Sequence, residues 1–385
     1  MPPRIVLIAG LAAGCGGASA PTVPPAPGGE ECVLRSGEGP PTGGIVAAAL
    51  GADTALVSPA RARTPLGLSC TGRPVARIAS SWTTDSSRTA WTLVLSSAAE
   101  LATDWRERPE AGAALRSAGV MAVLPLDDRR LVVTFRTAQN TVPAVFAHAA
   151  LAAPAGVGHS TGVRDSVAFR SPPGPTTDLR DVLDGGASVV VTADPAVLDY
   201  AATRTDLRHH PLPWNRTYVL VSPRGAPPLV DSPMTDTIGF REGLARDAVR
   251  VAARGAQPPY WWDSAPGCAR AAPLDAVVAA GVVYPRGDPV ARSLAERVVA
   301  MAAPGATARA VPDAELGAAM AQGGWSGYVV PLPRRTLQPC RDLAAWPEGA
   351  TALPLIDTRP TAVLKAGTPP LLVDYDGGLL PQPRQ

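Results

Sequence analysis

The spacing of hydrophobic and polar positions resolves most of the chain beyond residue 43 into short elements. Residues 43–50 (Gly-Gly-Ile-Val-Ala-Ala-Ala-Leu) predict a strand, as do residues 89–95 (Thr-Ala-Trp-Thr-Leu-Val-Leu). Residues 98–118 carry a helical pattern. Residues 120–126 and 130–136 alternate apolar and β-branched side chains around the polar turn Asp127, Asp128 and Arg129, which predicts a hairpin. A helix is expected over 142–152.

Farther along, a helix over 179–184, a strand over 188–192 and a helix over 195–201 lead to the apolar strand 217–222. Residues 281–285, 306–311 and 325–332 are short apolar runs without clean alternation, and the segments between them read as helices. Val290, Leu294, Val298 and Met301 recur at helical spacing. This succession predicts a βαβαβ unit around a buried, largely parallel sheet. Residues 352–357, 361–365 and 371–374 complete the pattern as strands.

The amino terminus obeys a different rule. Arg4 precedes an apolar run over 5–13, then Gly14 and Cys15. The run is too short for a permanent span. Its charged start, apolar centre and small-residue exit mark residues 1–14 as a signal peptide, which takes no part in the fold. The residues before Cys15 also resemble the bacterial lipobox, in which the cysteine is acylated, although Ala12 stands where leucine is usual. Each buried methylene would add about 0.8 kcal/mol to membrane attachment. Residues 15–42 are rich in proline and glycine and read as a flexible tether with a reach of about 30 Å. The expected location is outside the cytoplasm, as a periplasmic or cell-surface lipoprotein.

Without Cys15, an even set remains: Cys32, Cys70, Cys268 and Cys340. In an exported chain this implies disulfides. Three pairings exist; Cys32 with Cys70 and Cys268 with Cys340 is favoured, because each pair closes a loop within one region. None has a second cysteine or a histidine at zinc-ligand spacing. The length suits two domains. Alanine, proline, glycine and arginine dominate, Lys365 is the only lysine among 35 basic residues, and the net charge is +2. With no basic run, nothing points to nucleic acid.

Candidate chemistry is sparse. His159 and Ser160 lack the flanking glycine pattern and preceding strand of a nucleophile elbow. His209 and His210 are adjacent on an expected strand and point to opposite faces. Residues 374–378 (Asp-Tyr-Asp-Gly-Gly) open like a calcium loop but have no closing glutamate. No phosphate-binding glycine loop occurs. The reading is therefore no catalytic residue, no metal and no cofactor. The candidate ligand contacts are Trp214 and Arg216, beside the strand 217–222, and Tyr260, Trp261, Trp262 and Asp263. Tryptophan faces accept apolar groups or cations, an aspartate can hold an amino group, and an arginine a carboxylate. The competing use of these aromatic residues is core filling.

Residues 72–82 (Gly-Arg-Pro-Val-Ala-Arg-Ile-Ala-Ser-Ser-Trp) followed by Trp91 to Leu95 are similar to a block of the bacterial extracellular solute-binding protein family 5. That family comprises the peptide- and nickel-type binding proteins of ABC importers. The hairpin 124–135, the alanine-rich 142–150 and the arginine- and alanine-containing 240–249 match it in order. An aspartate-glycine block expected near 98–118 is reduced to 103–108, and the chain is shorter than is usual for the family. The resemblance implies an α/β, periplasmic-binding-protein-like fold of the class II type, with mixed sheets, flanking helices and a ligand cleft between two lobes. Lobe I would hold 43–215 and 347–385, and lobe II 216–346. It further implies a non-enzymatic, monomeric protein that captures a peptide-like solute and delivers it to ABC permease subunits. The alternative is a divergent lipoprotein using the same scaffold as a surface adaptor.

Overall fold

The computed structural model describes residues 32–40, 45–154, 167–169, 178–223, 243, 253–257, 279–301, 305–334 and 350–382. Cys15, Cys268, Cys340, His159, Ser160 and residues 240–242, 244–249 and 260–263 lie outside them. Among the described residues, twenty strands form five sheets. Helices α1 (Ala98–Glu107), α2 (Pro109–Ser117), α3 (Leu179–Asp184), α4 (Pro195–Ala202), α5 (Pro289–Met301) and α6 (Leu316–Gln322) pack among them.

The first large sheet contains β2 (Ile45–Ala49), β9 (Val167–Phe169), β10 (Val189–Thr192), β11 (Leu207–Pro211) and β18 (Thr361–Lys365), in the order β11-β18-β10-β2-β9. β2 runs parallel to β10 and β9, whereas β18 is antiparallel to β10 and β11. Alternate side chains go to opposite faces of a strand. Ala48, Val190 and Val363 accordingly pack with Leu179, Leu183, Val197 and Leu198 of α3 and α4. Ala47, Ala49, Val189, Val191, Ala362 and Leu364 pack on the other face with Leu56, Leu371 and Leu379. Burial on both faces is why these strands read as continuous apolar runs. Asp178 and Asp194 cap α3 and α4 by accepting from the amides of Arg180 and Ala196.

The second large sheet has the order β13-β17-β12-β16-β14-β15. Its members are β12 (Arg216–Ser222), β13 (Ala253–Gly255), β14 (Ala279–Pro285), β15 (Thr307–Val311), β16 (Trp325–Pro333) and β17 (Thr351–Thr358). β14 is parallel to β15 and β16, and α5 and α6 cross between them, so the expected βαβαβ unit is present. Leu294 and Val298 of α5 bury against Val282, Tyr284 and Leu220. Leu316 and Met320 of α6 cover Val219, Val283 and Tyr328 on the opposite face. Each such fully buried side chain contributes roughly 1.5–3 kcal/mol.

A third sheet, β5-β6-β8-β7, is antiparallel and contains β5 (Ser81–Thr84), β6 (Ala90–Val94), β7 (Val120–Pro125) and β8 (Arg130–Phe135). β7 and β8 are the predicted hairpin, and Asp127 closes its turn by accepting from the amides of Arg129 and Arg130 at 2.9 and 2.8 Å. Trp82, Trp91, Leu93, Leu131 and Phe135 pack on Leu101 and Trp105 of α1. Two expectations change here. The helix over 98–118 is broken between α1 and α2, because Pro109 disfavours helical backbone at Arg108 and offers no amide. The helix over 142–152 is instead two short 3-10 turns, Ala144–Ala147 and Ala149–Leu151, separated by extended backbone at His148.

The chain passes between the two large sheets twice, from β11 through 212–215 into β12 and from β17 through Arg359 and Pro360 into β18. The sequence placed 352–357 with the first lobe. The structure places β17 in the second sheet, antiparallel to β12 and β13, and only β18 returns to the first. The first crossing, 212–215, lies just before β12.

β1 (Val33–Leu34) pairs with β19 (Leu371–Val373), which pairs with β20 (Leu379–Pro381). The expected disulfide joins Cys32 to Cys70, 38 positions apart. Beside it, the 374–378 turn is no calcium loop: Asp374 meets Arg77 at 2.5 Å and Arg61 at 3.7 Å, and Asp376 takes Arg61 at 2.7 Å. Burial pushes the Asp374 carboxyl up to about 6, against the pull of Arg77 and Arg61. Burial lowers both arginines. Asp376 and Asp374 more than reverse this for Arg61, whereas Arg77, with Asp374 alone and Arg61 nearby, stays below its ordinary value.

Two outcomes follow. Replacing both Cys32 and Cys70 by serine should lower the unfolding free energy in a urea titration by about 4 kcal/mol, the loop-closure value for this separation. Asp374 has a folded pKa above its unfolded value of 3.8, so its contribution is complete below pH 3.8 and is lost as pH rises through about 6. Its share of the stability difference between about pH 4 and pH 7 should be about 2 kcal/mol, and D374N should remove that share from the measured pH slope.

Candidate functional site

The side-by-side crossings collect the polar groups that the sheets exclude. Leu212 donates its amide to the Pro360 carbonyl at 2.9 Å, and the Asn215 amide reaches Thr358 O at 3.3 Å. Each connection is short, so the last residue of one sheet lies close to the first of the other.

Arg216 opens β12. Its Nη2 lies 3.3 Å from Oδ1 of Asp53, in the 3-10 turn that follows β2, so the contact reaches from the second sheet to an element attached to the first. Two positions along the same strand face, the Tyr218 hydroxyl donates to Asp288 at 2.8 Å. Asp288 immediately precedes α5 and also accepts from the amides of Val290 and Ala291, both at 3.0 Å. Burial would lower the Arg216 pKa, but Tyr218, Asp53 and Asp288 together hold it above its ordinary value. Burial raises Asp53, with Arg216 opposing and Asp288 assisting. It also raises Tyr218 well above its ordinary value, and the Asp288 charge adds to the effect. At neutral pH the tyrosine is a donor.

The second group centres on Asp357, which is completely buried at the end of β17. Its Oδ1 accepts from Arg334 Nη1 and Thr217 Oγ1, both at 2.7 Å, while Oδ2 takes Arg254 Nε and the Gln257 amide, both at 3.3 Å. Arg334 also donates from Nη2 to Gln257 O at 2.6 Å and from its amide to Asn215 O at 2.7 Å. A buried carboxylate persists only when its lone pairs are filled in this way. Next to it, the guanidinium carbons of Arg254 and Arg359 lie 4.2 and 4.5 Å from the Trp214 ring centroid. Such contacts contribute on the order of 1 kcal/mol each.

Of the expected ligand residues, Trp214 and Arg216 lie within the described chain, in the two separate groups, and each has intramolecular partners. Tyr260, Trp261, Trp262 and Asp263 fall outside the described residues. His210 bonds the Arg35 carbonyl at 2.9 Å, and among the described residues no cluster of three His, Cys, Asp or Glu side chains could hold a metal ion. Asp53, Arg254, Asp288, Arg334, Asp357 and Arg359 were not found by sequence reasoning. Asp288 had a signal, an aspartate directly before Pro289 at a helix start. The others are single charges in an arginine-rich chain, and nothing local distinguishes them.

No protein-family model matches the sequence, and no curated protein matches it. Solved structures do match. A periplasmic oligopeptide-binding protein of Borrelia burgdorferi is 11% identical, with a TM-score of 0.54, over 84% of this chain and 95% of that one. NikA of Staphylococcus aureus, in complex with Ni(L-His)2, is 9% identical, with a TM-score of 0.56, over 88% and 99%. A dipeptide-binding protein of Pseudoalteromonas, in complex with Met-Leu, is 10% identical, with a TM-score of 0.54, over 87% and 98%. At such identities the likeness concerns the fold, which is the periplasmic-binding-protein-like α/β fold expected from the sequence.

Truncating Asp357 to alanine should cost about 3–5 kcal/mol in chemical denaturation, because Arg334 and Thr217 would lose a buried partner. Glu296→Ala, which removes an exposed pair with Arg292 on α5, should stay within about 0.5 kcal/mol. Equal costs would remove Asp357 from its central position.

Proposed function

We propose that this chain is a lipid-anchored, extracytoplasmic solute-binding protein that captures a peptide-like solute and presents it to an ABC permease. In this reading residues 1–14 direct export, Cys15 carries the lipid, and 15–42 tether the body. The solute sits between two lobes and binds by hinge closure without bond chemistry. The observation that carries the reading is the pair of adjacent crossings between two large sheets, lined by Trp214, Arg216, Arg254, Asp288 and Arg359. Ligand sites favour junctions of this kind, where polar groups converge between rigid bodies. The fold likeness to proteins whose structures hold Met-Leu or a nickel–histidine complex supports the same class. On the earlier lobe boundary, 347–385 belonged wholly to lobe I; we assign β17 to lobe II and begin the return at Arg359. Cys268 and Cys340 remain a proposed second disulfide.

One observation favours the adaptor reading. Arg216, a natural anchor for a solute carboxylate, already has Asp53. Binding would then need to compete with an internal pair, whereas a scaffold serving only as an adaptor would not.

Thermal unfolding of the soluble body, residues 32–385, with di- and tripeptides, amino acids and nickel–histidine separates the two. A ligand at a hundred times its Kd stabilises by about 2.7 kcal/mol. A rise in Tm with at least one peptide is expected. No rise across the set would overturn solute binding and leave the adaptor.

A further inference from the structure

Charge at the crossings does not balance. Arg254 and Arg334 share one carboxylate, Asp357, while Arg254 and Arg359 both lie over the Trp214 ring. Arg334 takes the shorter contact with it at 2.7 Å and has a second acceptor in Gln257 O. Arg254 is left with a longer contact at 3.3 Å. Arg359 has no acidic partner among the described residues, and its Nε is buried without an acceptor. Buried donors are usually satisfied, although Arg63, Arg77, Trp91 and Tyr328 also carry such an atom. Burial and the neighbouring Arg254 charge also lower the Arg359 pKa, which marks the repulsion between the two guanidiniums.

Trp214 holds both arginines in place. A cation over an aromatic ring is attracted by the ring's charge distribution and keeps its N–H donors for another partner. Among the described residues the arginine left without an acid, Arg359, meets Arg254 of the edge strand β13 at Trp214, with Trp214 and Arg359 one on each crossing. Guanidinium forks match oxyanions with two or more oxygens in a plane.

We propose that Arg254, Arg359 and Trp214 form a subsite for a solute bearing an added anionic group, a side-chain carboxylate or a phosphate monoester. This rests on the solute-binding reading and adds to it a preference for acidic solutes. Since Trp214 and Arg359 occupy the two connections on which the lobes would turn, an anion joining Arg359 to Arg254 ties occupancy to the arrangement of the crossings.

The test is isothermal titration of the purified full-length protein with Ala-Glu, with Ala-phosphoserine and with neutral Ala-Gln. A charge-assisted hydrogen bond contributes roughly 1.5–3 kcal/mol, so an acidic dipeptide should bind about tenfold or more tightly than Ala-Gln. The preference should shrink in high salt and fall to near parity in R359Q. R359K, which keeps the charge but not the fork, should restore only part of it. Whichever acidic dipeptide binds more tightly identifies the oxyanion. If Ala-Gln binds as well as both acidic dipeptides, or if R359Q keeps the preference while folding normally, the subsite is wrong and solute binding stands. If none of the three binds and no peptide raises the Tm, both readings fall.

Discussion

The arrangement of the two sheets depends on Asp357. A carboxylate removed completely from water costs several kcal/mol, and that cost is offset only where donors surround it. The donors come from separate parts of the chain: Thr217 on β12, Arg334 after β16, Arg254 and Gln257 at and beyond β13. To satisfy one side chain, the protein must bring the first residues of β12, the end of β16 and the end of β17 to one point. That requirement fixes both crossings beside one another, since 212–215 leads directly into β12 and Arg359 follows Asp357 by two residues.

This constraint also explains what could and could not be read from the sequence. The βαβαβ unit was legible because Leu294 and Val298 repeat at helical spacing and because strands buried on both faces show unbroken apolar runs. The β7–β8 hairpin was legible because its turn is closed locally by Asp127. The partner of β17 was not. Thr351–Thr358 and Thr361–Lys365 are apolar runs separated by two residues, a pattern that equally describes neighbours in one sheet. Partner choice is set by the distant donors to Asp357, and periodicity carries no trace of them. The break at Pro109 was written in the sequence but outweighed by the apolar spacing on either side.

The site shows the same division. Trp214 and Arg216 stood out because they flank a strong apolar strand, 217–222. Arg254 and Arg359 were hidden by composition, since basic residues are almost all arginine and recur in every region. What distinguishes them is geometric. Some arginines pair locally, as Arg108 does with Asp104 one helical turn away and Arg180 with the capping Asp178, and others, such as Arg61 and Arg216, with distant carboxylates. Arg254 and Arg359 instead converge on one ring, from β13 and from the connection before β18.

The two charged junctions then stand in contrast. Around Asp374 the folding of the carboxyl-terminal hairpin is served by two acids facing two arginines, and the charges cancel. Around Asp357 two arginines share one acid, and beside them Arg359 has no acidic partner among the described residues. If both were only structural, burial would favour the same cancellation at each, because an uncompensated cation in a partly dry site lowers stability without strengthening the fold. Retaining the surplus at the crossings, and holding it with an aromatic ring rather than a carboxylate, keeps guanidinium donors available where the two sheets meet. In the solute-binding reading proposed above, those donors lie where a solute's charge would act on the connections between the two sheets.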